Sequence, residues 1–190
     1  MSASFPNSAK VVIIGGGVAG CSVAYHLAKF GWKDIVLLER DQLTSGTTWH
    51  AAGLIGQLGS SATITKLRNY SLNLYKELEI ETGLSTGLKQ NGSLTVATTE
   101  GRLEELKRQV TTAQLFNVEA NEISIDQIKD LYPLINTSDV IGGIHIPKDG
   151  QADPIGVTNV LAKAAKLHGA KIIEHCSVNK ILIKNNQIQG

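Results

Sequence analysis

Gly15, Gly17 and Gly20 stand at G-x-G-x-x-G spacing directly behind Val11-Val12-Ile13-Ile14. These four β-branched residues show no polar alternation, which predicts a short parallel strand buried on both faces. Residues 18–30 predict a helix with Ala24, Leu27 and Ala28 on one apolar face, and Gly31 falls where a left-handed residue would close it. Ile35 to Leu38 predicts a second buried strand, with Glu39 at its end. In such a unit the first glycine permits the tight turn and the second lets backbone approach a pyrophosphate. The third lets helix pack closely on strand. The pyrophosphate would meet unpaired N–H groups and the positive end of the helix dipole. Glu39, nineteen residues beyond Gly20, is placed to accept hydrogen bonds from a ribose 2′-hydroxyl. A glycine-rich turn with nothing bound is the plain alternative. Strand, turn, helix, strand and terminal acid in that order favour a dinucleotide.

The stretch after Glu39 bears on which dinucleotide. A plain NAD-binding domain would go promptly into another helix and a third parallel strand. Here Asp41 to Gly56 is instead rich in small residues and hydroxyls, Thr44-Ser45-Gly46-Thr47-Thr48-Trp49-His50-Ala51-Ala52-Gly53-Leu54 among them. Such a segment suits a longer dinucleotide whose second half needs its own cradle, which moves the reading from NAD to FAD.

Beyond the cradle, residues 63–82 predict a helix whose Ile64, Leu67, Tyr70, Leu74 and Leu78 share a face. A strand is expected over 92–98 and an amphipathic helix over 101–116, with Leu103, Leu106, Val110 and Ala113 inward. A short helix over 125–131 stops at Tyr132-Pro133, and a strand over 140–146 precedes a turn at 147–150. Asp153 and Pro154 have the N-cap and first-turn roles of a helix ending near Gly169. Strands are then expected over 170–174 and 178–183, and Ile188 would begin a strand without a partner. The fold class is therefore α/β. It reads as a Rossmann-like FAD-binding βαβ domain of the glutathione-reductase type, interrupted by part of an α+β substrate domain. Residues 1–62 and 147–190 fall to the first and 63–146 to the second, and the chain is expected to be the N-terminal part of a longer protein.

Eighteen basic and 17 acidic residues leave a net charge of +1, so no global field argues for nucleic acid or an anionic membrane. No run approaches the ~20 apolar residues of a membrane span. Residues 1–9 contain neither Arg nor an apolar core, and the default location is cytoplasmic. Cys21 and Cys176 make neither a disulfide framework nor metal-ligand spacing, and Cys21 suits helix–strand packing. His26, His145, His168 and His175 are read as structural, because none pairs at ligand spacing.

Val12-Ile-Ile-Gly-Gly-Gly, Leu37-Leu-Glu-Arg40 and above all Thr44-Ser-Gly-Thr-Thr-Trp-His-Ala-Ala-Gly-Leu54 resemble the dimethylglycine and sarcosine dehydrogenases of the D-amino-acid-oxidase-like flavoproteins. The likeness continues through Glu81-Thr-Gly83, Gly92-Ser93, Ala97-Thr-Thr99, Tyr132-Pro-Leu134 and Asp149-Gly-Gln-Ala-Asp-Pro154. It implies a covalent link from His50 to the flavin 8α carbon. It also implies that Val18 and Ala19 offer the helix terminus, that Glu39 and Arg40 meet the adenosine ribose, and that Gly46 through Leu54 line pyrophosphate and isoalloxazine. Val178 matches a position contacting adenine through its backbone. The implied reaction removes a hydride from an N-methyl carbon of an amine such as sarcosine or dimethylglycine, leaving an iminium. An electron-transfer flavoprotein or oxygen would reoxidise the flavin, and tetrahydrofolate would enter only through a further C-terminal domain. No catalytic residue is assigned within these 190 residues. Two alternatives stand beside this reading. One is a non-catalytic relative like the regulatory subunit of pyruvate dehydrogenase phosphatase, and the other is a nicotinamide-dependent dehydrogenase.

Overall fold

The computed structural model describes residues 5–190. In chain order the elements are β1 (Val11–Ile14), α1 (Val18–Lys29), β2 (Ile35–Leu38), a 3-10 turn (Thr48–His50), β3 (Leu54–Ile55), α2 (Ala62–Thr82), β4 (Ser93–Ala97) and α3 (Glu100–Gln114). They continue with β5 (Asn121–Ile123), α4 (Ile125–Leu131), β6 (Gly142–Ile146), β7 (Gly150–Gln151), α5 (Pro154–Leu167), β8 (Lys171–Ile173), β9 (Ile183–Lys184) and β10 (Gln187–Ile188). The chain divides into two units. The first holds residues up to Ala52, Glu77–Gly87 and Asp153–Gly190; the second holds Gly53–Lys76 and Leu88–Ala152.

The first unit is built on a parallel sheet in the order β1-β2-β8, with Val11 opposite Ile35 and Val36 opposite Lys171. Central β2 is closed on both faces, as its unbroken apolar run predicts, and Leu37 is fully buried. The same expectation fails for β1. Val12 and Ile14 are 52% and 56% exposed. Side chains alternate along a strand, and only the Ile13 face meets α1, where the Ile13 methyl lies against Gly20. Helix α1 packs along α5. Their buried residues are mostly small, Cys21, Ala24 and Ala28 on one and Val160, Ala164 and Ala165 on the other.

Both helix ends follow local chemistry. Gly31 (φ +87°) and Gly169 (φ +98°) are left-handed behind α1 and α5. Asp153 caps α5 by accepting the Ile155 N–H at 3.1 Å, with Pro154 in the first turn. No strand spans 178–183. Those residues are irregular as far as β9, which pairs with β10 across Asn185 and Asn186, both at positive φ. Ile188 therefore has a partner, Ile183. Two consecutive left-handed asparagines make the tight hairpin that the polar run allowed but apolar counting missed.

In the second unit β4, β6 and β5 form an antiparallel sheet in that order. Helix α3 covers one face, with Leu103, Leu106 and Val110 packed with Ala97 and Ile144. Ala113, Val118 and Ile146 extend this side, joined by Leu58, Phe116 and Ala120. Ile128 of α4 lies on the opposite face, against Gly143. Ser124 and Gln127 form a reciprocal capping box at the start of α4.

Helix α2 runs as expected and buries Leu74 and Leu78 of its predicted face, but the first half of that face departs from the expectation. Ile64, Leu67 and Tyr70 are exposed, whereas Thr65 is buried. The Thr65 hydroxyl accepts the Gly59 N–H at 3.0 Å, and Asn69 Oδ1 accepts from the Gln57 side chain at 2.7 Å. Satisfying the polar groups of the 57–59 loop turns the polar stripe of this half of the helix inward. Among the described residues no helix is long and apolar enough to cross a membrane.

Leu106 is fully buried between α3 and the sheet. Leu106→Ala should cost about 2–5 kcal/mol, read as a lower denaturation midpoint of the full-length protein with an unchanged slope.

Candidate cofactor site

The glycine turn is shaped by what a side chain would hit. Gly15 is left-handed (φ +109°), and its N–H donates to the Leu38 carbonyl at 2.8 Å, tying the end of β1 to β2. A Cβ at Gly20 would strike the Gly15 carbonyl oxygen, so only glycine lets α1 come this close to the turn. A Cβ at Gly17 would lie 3.1 Å from the Thr48 hydroxyl. Gly16, which the motif leaves free, is constrained as well. Its Cβ would stand 2.6 Å from Leu43 Cδ2 and 2.9 Å from Glu39 Cβ. A run of three glycines was the available signal for that crowding.

Glu39 sits at the end of β2, only 8% exposed. Its Oε2 accepts the Gly16 N–H at 2.6 Å and its Oε1 the Asp41 N–H at 2.9 Å. Burial pushes the carboxyl upward, but the Asp41 and Gly16 donors and the Arg40 charge outweigh it and hold the group below the ordinary glutamate value. A carboxylate has about four lone-pair directions, so acceptor capacity is left beside the Gly16, Asp41 and Arg40 N–H donors. The Glu39 N–H donates to Ile173, and its carbonyl accepts from Cys176. Arg40 points outward and pairs at the surface with Asp41 at 3.3 Å. Cys21 is buried at the base of the turn, its thiol pushed up to about 12 by burial and the charges of Glu174 and Glu39; it is a packing residue.

The small-residue stretch returns to this turn. The Thr44 N–H donates to the Gly16 carbonyl at 3.1 Å. Gly46 and Thr47 are exposed, and the 3-10 turn then brings buried Thr48 under α1, where its hydroxyl accepts the Val18 N–H at 3.1 Å. The next two N–H groups, of Ala19 and Gly20, have no acceptor among the described residues, and the first turn carries no acid. That combination fits an anionic group. Trp49 and His50 stack with ring centroids 3.8 Å apart, and both are exposed. Ala51 and Ala52 follow, exposed. Gly53 and Leu54 belong to the second unit, where the Gly53 carbonyl accepts the Ala152 N–H and Leu54 pairs with Gln151. Val178 is half-buried in the irregular stretch before β9.

The remaining histidines serve locally. His26 bonds the Ser22 carbonyl through Nδ1, His145 packs against Gly92, and His168 bonds Glu81 at 2.7 Å. His175, at φ +56°, donates its N–H to the Asp41 carbonyl. No group of acids, histidines and cysteines among the described residues is placed to hold a metal ion.

The folded state favours the Glu39 carboxylate, so that group's contribution to stability is complete above 4.5 and is lost as pH falls below it through the folded-state value. The stability gap between wild type and Glu39→Gln, followed by urea unfolding, should be constant near neutrality and narrow on acidification. A gap independent of pH would contradict the charged Gly16–Glu39–Asp41 arrangement.

Comparison with known proteins bears on what this turn holds. The family model described as DAO, FAD dependent oxidoreductase, matches residues 10–190. Human sarcosine dehydrogenase is 46% identical over 183 residues, covering 96% of this chain and 20% of that protein. The mouse pyruvate dehydrogenase phosphatase regulatory subunit is 41% identical, covering all of this chain and 22% of that protein. Among solved structures, L-proline dehydrogenase from P. horikoshii superimposes with a TM-score of 0.90 at 32% identity, over 98% of this chain and 49% of that one. The chain thus spans about one fifth of the length of the two curated relatives. It belongs to the DAO family of FAD-dependent oxidoreductases.

Proposed function

We propose that this chain carries the dinucleotide-binding part of an FAD-dependent amine dehydrogenase or oxidase. Its substrate is the C–N bond of an N-methylated glycine of the sarcosine or dimethylglycine type. The observation that carries the reading is the first turn of α1. It offers the Ala19 and Gly20 N–H groups with no protein acceptor, beside a buried Glu39 held as carboxylate at the end of β2. Flavin, when bound, supplies the two-electron acceptor for a hydride.

The chain's own residues do the holding. Gly15, Gly17 and Gly20 keep the turn bare so that the α1 terminus receives the pyrophosphate. Glu39 accepts from the ribose, with Arg40 at its rim. Thr48 occupies the Val18 N–H and fixes the 3-10 turn, which presents Trp49 and His50 outward. The His50 ring has no hydrogen-bond partner among the described residues, which leaves its nitrogen available as the nucleophile for covalent flavin attachment. Gly46, Thr47, Ala51 and Ala52 line the rest of the cofactor, and Val178 meets adenine through its backbone. The first unit is the cofactor domain and the second contributes to the substrate domain. An electron-transfer flavoprotein or oxygen takes the electrons, and any tetrahydrofolate site lies in a separate domain. The names of both curated relatives place them in mitochondria, and the same compartment is proposed for the full-length protein in place of the cytoplasm expected from residues 1–9.

The regulatory-subunit alternative has a relative at 41% identity behind it. The complete glycine set and a His50 ring without a hydrogen-bond partner among the described residues favour the redox enzyme over it. Nicotinamide is disfavoured by membership of an FAD-dependent family.

In the full-length protein Gly17→Val should give colourless protein, because the branched side chain fills the approach beside Thr48; stoichiometric flavin in that variant would sink the FAD site. Acid precipitation tests His50. Flavin should stay with the wild-type pellet and pass to the supernatant in His50→Ala, whereas complete release from wild type would remove the covalent bond but leave the FAD site standing.

A further inference from the structure

Beyond the ends of β2 and β8 the two stretches of chain stay bound to each other, all within the first unit. The Glu39 N–H donates to the Ile173 carbonyl at 2.9 Å, and the Cys176 N–H returns to the Glu39 carbonyl at 2.8 Å. The His175 N–H donates to the Asp41 carbonyl at 2.8 Å. The last bond of the series uses a side chain. Glu174 Oε1 accepts the Leu43 N–H at 2.7 Å, across 131 positions of sequence.

The backbone on both sides of this bond is unfavourable. His175 has φ +56° and Thr44 φ +72°, in the left-handed region that suits glycine. Thr44 is β-branched, the kind of residue that resists this region most. Such conformations persist where the surroundings over-determine them, and they gather at binding sites. Here the conformation accomplishes a reversal. The chain leaves β2 at Glu39 and comes back over the glycine turn, where the Thr44 N–H reaches the Gly16 carbonyl at 3.1 Å. The Leu43 side chain lies on Gly16, at which a Cβ would stand 2.6 Å from Leu43 Cδ2. Gly16 is thereby held between Leu43 and Glu39, whose Oε2 takes its N–H at 2.6 Å. Gly17, the N-cap of α1, follows directly.

The backbone bonds of this series survive a change of side chain; the bond to Leu43 does not. It sits next to Thr44, where the chain reverses. β2 and β8 are already paired as far as Leu38 and Ile173, so an exposed carboxylate adds little to the sheet itself. We propose that Glu174 is a positioning residue for the dinucleotide. Acting through the Leu43 N–H, it holds the 41–44 loop over Gly16 and so keeps the Glu39 carboxylate and the first turn of α1 in the arrangement that receives the cofactor. This role rests on the FAD reading above. It requires an oxygen at this position and not a charge, so glutamine can replace the carboxylate.

The test is FAD affinity, by flavin fluorescence titration, in the full-length protein with His50→Ala so that binding is reversible. Adding Glu174→Ala should weaken FAD roughly threefold to tenfold, the range that one net hydrogen bond supports. Glu174→Gln should restore the affinity. The neighbouring backbone gives a second arm, which decides the matter if Glu174→Ala fails to fold. His175→Gly accepts the left-handed conformation and should bind as the parent does, whereas His175→Val resists it and should bind more weakly. Thermal unfolding of each variant fixes a titration temperature at which all are folded, so that affinity reports geometry and not loss of folded protein. Affinity unchanged by Glu174→Ala, a Gln variant no tighter than the Ala variant, or equal affinities for His175→Val and His175→Gly would overturn the positioning role while the FAD site stood. A parent protein that holds no FAD overturns the FAD site itself, and this role with it.

Discussion

At Gly20 the backbone of α1 reaches the Gly15 carbonyl so closely that a Cβ would occupy the oxygen's place. That approach puts the first turn of the helix beside the end of β1, and the Gly15 N–H carries the connection on to Leu38 of β2. The helix terminus then lies where the strands end, with two N–H groups unanswered. An alanine at this point would have to lift the helix away from the turn. The chemistry of the first unit depends on that missing methyl, because the dipole and the free donors act only over the first turn.

Glu39 shows how one side chain serves fold and ligand together. Its two bonds, to Gly16 on one side and Asp41 on the other, stitch the glycine turn to the loop leaving β2. The same bonds offset the burial of the charge and keep the group an acceptor. A ribose would find the carboxylate already oriented. Thr48 works in the same way, answering the Val18 N–H with a hydroxyl and leaving the two following donors alone. A carboxylate at that position would answer the helix terminus with a charge and compete with an incoming anion.

The second unit relies on polar anchoring of short elements. β3 and β7 are two residues each, and the bonds around Asp149 and Gln57 supply what so short a ladder lacks. The same economy explains the face of α2. Apolar spacing pointed to Ile64, Leu67, Tyr70, Leu74 and Leu78 as the inward stripe; Leu74 and Leu78 are buried, yet in the first half Thr65 and Asn69 are turned toward the 57–59 loop because its buried polar groups need partners.

Much of this was legible before any coordinate. The glycine turn, β2, the caps at Asp153 and Gly169, and the helix over 125–131 depend on a few neighbouring residues, and local spacing determines them. The family likeness rested above all on a run of eleven residues, from Thr44 to Leu54. The asparagine hairpin that pairs Ile188 with Ile183 is local too, and apolar counting simply passed over its polar run. Tertiary structure alone decided the rest. The bare face of β1 and the second task of Gly16 were not in the local pattern. Nor was the meeting of Gln57 and Ser93 on Asp149. The bonds at Gly16 and Asp149 join residues 23, 56 and 92 positions apart, in Gly16–Glu39, Ser93–Asp149 and Gln57–Asp149. Periodicity reports which residues can share a face of one element; which partner satisfies a buried donor depends on chain brought from elsewhere.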